Sequence, residues 1–144
     1  MSQTTAFEVA AEIRRRLPGV RSAKVQKLLY YAQARHLGRY GEAMYSEQIE
    51  AWCKGPVVAE VWRTERYNRP TALDLTSSTL TLEHLATVDD VMEIYSAIDD
   101  SKLIKAAREE APWIEAWEDR AMNSICEPIG HDSMRRAYQS LSLD

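Results

Sequence analysis

The sequence predicts a mainly α-helical, single-domain bundle of about six to seven helices packed around one central helix. Three observations carry that expectation. The 144 residues suit one domain of ordinary size. Apolar residues recur at spacings of three and four along most of the chain, which is the helical period. A makeup of 45% hydrophobic and 28% charged residues lies in the range of folded globular domains and outside that of disordered chains. Residues 1–144 are therefore read as one domain, with no internal repeat.

The first helix spans residues 5 to 17, where Val9, Ala10, Ile13 and Leu17 share one face and Pro18-Gly19 stops the pattern. Ser22 is placed as the N-cap of the second. Here Val25, Leu28, Leu29, Ala32 and His36 form one stripe, while Tyr30, Ala34 and Leu37 fall on the opposite side. A helix apolar on two sides is packed on two sides, so residues of about 22–38 form the central helix.

Gly38, Tyr40 and Gly41 end it, and a small β-hairpin or extended segment is expected near 43–54, turning at Ser46-Glu47-Gln48. Gly55-Pro56 closes that segment, with Pro56 expected in the first turn of a third helix. Val57, Val58, Val61 and Trp62 would form that helix's buried stripe, and Glu60, Arg63, Arg66 and Tyr67 its outward face. The Ser/Thr-rich stretch from Asn68 to Thr81 reads as a surface loop.

Leu85, Val88, Val91, Met92, Tyr95 and Ile98 mark a fourth helix. Asp99, Asp100 or Ser101 caps a fifth through Leu103, Ile104 and Ala107. Pro112 opens a sixth, with Trp113, Ile114 and Trp117 at packing intervals. A loop through Cys126, Pro128 and Gly130 precedes a last helix carrying Met134, Ala137, Tyr138 and Leu141.

Composition narrows function more by exclusion than by assertion. A net charge of −4 argues against a general nucleic-acid binder, which needs a cationic surface to neutralise phosphates. Arg14-Arg15-Arg16 reads as a solvated face that also complements a helix C-terminus. Cys53 and Cys126 fit no metal-ligand spacing and suggest free thiols in a reducing compartment. No apolar run approaches the roughly 18 residues of a membrane span, and no secretory leader is visible, so a cytoplasmic protein is expected.

Catalytic readings are weak. A Cys/His hydrolase would need Cys53 beside His36, His84 or His131, yet nothing in their spacing brings them together. Cys53 sits in an apolar extended segment where a small thiol packs well, and His36 lies on the apolar stripe of the central helix. His84 with Asp89 or Asp90 matches no metal pattern, the five glycines form no phosphate loop, and no cofactor is implied. The aromatic residues Tyr30, Tyr31, Trp52, Trp62, Trp113 and Trp117 suggest a nucleic-acid stacking platform, but at helical spacing they read as core.

The ordered segments QKLLYYAQ at 26–33, IEAWCKGPVVAEVW at 49–62, EEAPWIEA at 109–116 and AY at 137–138 resemble the Panacea antitoxin domain, also called the SocA- or GepA-like domain. The likeness covers roughly Val25 to Leu141. It departs at Lys54, where an aromatic usually precedes GPV, at Ala59, where proline is common, and at Glu109-Glu110, where Thr-His is frequent. No histidine role is therefore carried into that last stretch.

The resemblance implies an antitoxin of a bacterial or phage toxin–antitoxin pair, acting by direct binding to a cognate toxin encoded by the neighbouring gene. Some family members act instead as adaptors that present the toxin to an ATP-dependent protease, the alternative reading. A small Cys/His enzyme and a DNA-binding autorepressor rank below both. The motif residues Lys27, Leu28, Leu29, Tyr30, Tyr31, Trp52, Gly55, Pro56, Val57, Val58, Pro112 and Trp113 are read as scaffold, with Leu28, Leu29, Trp52, Val57 and Val58 pointing inward. Arg63, Arg66 and Tyr67, with the loop at 71 to 81, are the candidate toxin interface. No membrane and no nucleic acid is expected among the partners.

Overall fold

A computed structural model describes residues 4–67, 80–123 and 127–141. Helix α1 (Ala6–Arg16) begins where the Thr5 side chain accepts the Glu8 amide, and ends at a turn through Gly19, whose φ of 81° lies in the left-handed region. Its last-turn arginines all find carboxylates. Arg14 pairs with Glu65, Arg15 with Glu12, and Arg16 with Glu12 at 2.8 Å and with Asp89.

Helix α2 (Ser22–Tyr40) is the hub, with α1, a strand and three further helices packed around it. Its N-cap is Arg21, one residue before the expected Ser22, and Gly41 closes its other end at φ 77°. Every residue from Val25 to Ala34 is buried. The expectation of two apolar sides understated this, because polar Gln26, Lys27 and Gln33 are buried too.

The chain then forms β1 (Ile49–Trp52) and β2 (Gly55–Val58), an antiparallel hairpin pairing Trp52 with Gly55 and Ile49 with Val58. The turn is thus Cys53-Lys54, and residues 46–48 precede the first strand. Pro56 is in a strand opposite Ala51, with Val57 and Val58, so these three do not belong to the third helix as expected. Strand β2 pairs with β1 alone and is an edge of the sheet, where proline's missing amide costs no ladder bond. Gly55 has φ 113°, a conformation that favours glycine, and a Cβ there would also press on Lys27 Cε at 3.0 Å.

Helix α3 (Ala59–Arg66) follows without a break. Helix α4 (Leu82–Tyr95) starts with a capping box in which Thr81 and His84 exchange side-chain and backbone bonds, and α5 (Asp100–Arg108) is capped by Asp99. Pro112 lies in the first turn of α6 (Ala111–Asn123), β3 (Glu127–Pro128) adds to β1, and α7 (His131–Tyr138) runs into a 3₁₀ turn at Gln139–Leu141. Helix α7 seats directly on α2: a Cβ at Gly38 would lie 2.2 Å from the Tyr138 carbonyl oxygen. A glycine inside a helix costs about 1 kcal/mol against alanine, and here it permits backbone contact.

The result is a mainly α-helical protein of seven α-helices and a three-stranded antiparallel sheet among the described residues. Among them, no helix is long and apolar enough to cross a membrane. Residues 68–79 of the Ser/Thr-rich loop expected over Asn68 to Thr81, and Cys126, lie outside the described residues.

Candidate functional site

Two sets of side chains could carry function, one inside and one outside. The inner set hangs from α2. Gln26 Oε1 accepts the Val58 amide at 2.7 Å, and Lys27 Nζ donates to the Pro56 carbonyl at 3.0 Å. Gln33 accepts the Met44 amide at 2.7 Å and donates to the Tyr45 carbonyl at 2.8 Å, while Tyr45 Oη donates to Leu29 O at 2.8 Å. The bonds from Gln26, Lys27 and Gln33 satisfy backbone groups of the hairpin and of the segment before it, which burial would otherwise leave unpaired. Burial pushes the Lys27 amine down to about 8.

One turn on, Tyr30 Oη and Tyr138 Oη each donate to one oxygen of Glu110 at 2.6 Å. Burial first, and the Glu110 carboxylate second, raise both phenols above their ordinary range. Tyr31 stacks on Tyr95 at 4.0 Å, and Arg35 donates to the Tyr95 hydroxyl at 3.3 Å with its guanidinium near the Tyr95 and Tyr138 rings. Glu110 therefore ties α2 to α7 in the stretch where the sequence supplied no histidine. Sequence reasoning missed it, because only the fold brings residues 80 and 28 positions away to one carboxylate.

His36 is buried, with Nδ1 2.7 Å from Thr87 Oγ1 and its ring 5.1 Å from that of His84. His84 Nδ1 in turn accepts the Thr81 amide at 3.1 Å and lies 3.2 Å from Thr4 Oγ1. Burial, with the His84 charge second, holds the His36 imidazole down at about 4, and burial likewise lowers His84. Cys53 is exposed in the hairpin turn, contrary to the packed position expected of it, and is not hydrogen-bonded to a histidine among the described residues. Its turn position removes it from the apolar strand faces on either side. No group of three or more His, Cys, Asp or Glu suited to a metal occurs among the described residues.

The outer set lies on the hairpin, α3 and the start of α6. Trp52 and Trp62 meet edge to face at 5.1 Å, Trp113 donates its indole N–H to the Trp52 carbonyl at 2.9 Å, and Trp113 stacks on Trp117 at 5.0 Å. Trp113 is buried, but Trp52 is only half-buried, its indole donating to Glu50 at 2.8 Å. The expectation that Trp52 points fully inward is corrected: alternation along β1 buries Ile49 and Ala51 and turns Glu50 and Trp52 to the other face. Arg63 and Arg66 are exposed and Tyr67 is 63% exposed. Leu28, Leu29, Tyr30, Tyr31, Gly55, Pro56, Val57, Val58 and Pro112 are all buried.

An inner set spent on internal bonds and an outer set of aromatic and basic side chains define a helical domain that keeps its shape and offers surface. The chain belongs to the antitoxin SocA-like, Panacea domain family, whose match covers residues 25–114. That span starts in the first turn of α2 and ends early in α6, so it holds the hub, the hairpin and Glu110. No curated protein and no solved structure matches the chain.

Proposed function

We propose that this protein is an antitoxin that neutralises a cognate toxin, encoded by the neighbouring gene in the same cytoplasm, by direct stoichiometric binding and without catalysis. The observation that carries this reading is membership of an antitoxin family across the hub and hairpin. The site supports it: the motif side chains of α2 are occupied in internal hydrogen bonds, which leaves exposed faces for a partner. Arg63, Arg66 and Tyr67 are the proposed contact residues, since Arg and Tyr contribute disproportionately at protein interfaces.

The test is co-expression with the adjacent reading frame, followed by calorimetry on the purified pair and intact-mass measurement of the toxin. Growth rescue, a one-to-one complex and an unaltered toxin mass are expected, and Cys53→Ser should rescue as well as the parent chain. A toxin released unbound but chemically altered would sink direct binding. A toxin whose half-life shortens only when an ATP-dependent protease is present would replace it with the adaptor role.

A further inference from the structure

The four tryptophans of the chain are joined by direct contacts into one line, Trp62 to Trp52 to Trp113 to Trp117. Three of them, Trp62, Trp52 and Trp117, remain partly accessible. Cations border this line near Trp62 and Trp52 and again at Trp113. Arg66 stands one helical turn after Trp62 on α3, Arg63 lies beside it, Lys54 occupies the adjoining hairpin turn, and the Arg108 guanidinium sits 5.3 Å from the Trp113 ring centre.

Exposed cations without a carboxylate partner among the described residues gather beside these indoles. Arg14, Arg15, Arg16, Arg39, Arg135 and Arg136 each have a carboxylate partner. Lys54, Arg63, Arg66 and Arg108 are exposed and form no ion pair among the described residues; Arg21, Lys102 and Lys105 share that condition, but have no indole contact among the described residues. On a chain of net charge −4, leaving these four unneutralised beside accessible indoles marks a surface complementary to carboxylates around an apolar centre. Desolvated aromatic anchors ringed by charge are the anatomy of a protein hot spot. Bases would need free ring faces, whereas the Trp113 ring is engaged by Trp117 and Arg108, and Trp52 and Trp62 pack edge to face on each other.

We infer that the tryptophan line with Arg63, Arg66, Lys54 and Arg108 is the docking surface for an acidic, apolar-centred patch on a protein partner. This rests on the antitoxin reading, whose toxin is the occupant, and it states what the toxin's contact surface must look like. Affinity should then depend on both the indoles and the salt concentration, because charge at the rim governs encounter and is screened by ions.

The full-length chain and the purified product of the adjacent gene are the reagents. Arg63→Glu with Arg66→Glu should leave the thermal melt unchanged and weaken the complex by about 30-fold or more. Parent affinity should fall as salt rises from about 50 to about 300 mM, and the charge-reversed chain should lose or invert that dependence. Trp62→Phe should bind nearly as the parent while Trp62→Ala should not, and complex formation should change the tryptophan emission. A complex with unchanged affinity and salt dependence in the charge-reversed chain overturns this surface and leaves direct neutralisation standing. Failure of the parent chain to form any complex refutes direct binding and the surface together. Self-association in sedimentation that the double reversal abolishes would assign the face to a second copy. Retention of a labelled single-stranded RNA, lost in the same variant, would assign it to nucleic acid. Either result overturns the proposal.

Discussion

The buried polar side chains of α2 and the half-exposed indoles of the hairpin face belong to one family motif region, yet they are used in opposite ways. Gln26, Lys27 and Gln33 would read as surface residues by type, but each is buried and bonded to backbone 11 to 32 positions away in the chain. Trp52 reads as core by type, but it stands on the outward face of β1 and keeps part of its ring in solvent. The difference teaches that residue type ranks burial poorly where a central helix must satisfy irregular backbone. A buried amide that would otherwise lack a partner costs about 1–3 kcal/mol, enough to hold a glutamine inside.

The largest effect should separate the two tryptophans. Trp113→Ala removes a buried ring and should destabilise by about 3–5 kcal/mol. Trp52→Ala, half-exposed, should cost about 1–2 kcal/mol in the same denaturant titrations. Equal losses would erase the distinction between the inner and outer sets.

Gly38→Ala tests the backbone contact between α2 and α7. The new methyl would meet the Tyr138 carbonyl, so α7 should be displaced at a cost of about 1–3 kcal/mol, despite alanine's better helix propensity. Increased amide exchange across residues 131–138 would report it. A stabilised protein would show that α7 does not pack as described.

Gln33→Leu keeps the size but strands the Met44 amide and Tyr45 carbonyl. A loss of about 1–3 kcal/mol is expected, with exchange rising first at Met44. A neutral result would mean that water or a local shift satisfies both groups and that the inner set is less rigid than its geometry indicates.

Acid should loosen the α2–α4 contact before the sheet. His36 titrates near 4 when folded, below its ordinary value of 6.5, so the unfolded chain takes up the proton first. That contribution to stability is complete above about pH 6.5 and is lost as the pH falls from there toward about 4. Melting temperature should decline over this window in the parent chain and less steeply in His36→Gln.

The smallest effect on stability should come from the outer face. Changing Arg63, Arg66 and Tyr67 together to alanine should move the folding free energy by no more than about 0.5 kcal/mol per residue, while weakening the toxin complex. A triple variant that unfolds would place these residues in the scaffold.

Much of the fold was legible before the structure, and the reasons are local. Periodicity placed the central helix, and Pro18-Gly19, Asp99 and Pro112 placed helix boundaries to within a few residues, because caps and breakers act through neighbouring backbone groups. The likeness of the motif segments identified the family. Tertiary structure alone decided the rest. Pro56, expected to open a helix, instead lies in an edge strand once a sheet order exists, and Cys53 left an apolar run for a turn once the strands paired. Glu110 became the joint between Tyr30 and Tyr138, and Gly38 the seat of α7, only when distant segments met. Local sequence determines conformations whose energies are set by adjacent residues. Which buried polar groups share a bond, and which indoles stay wet, depends on long-range contacts that no short window of the chain contains.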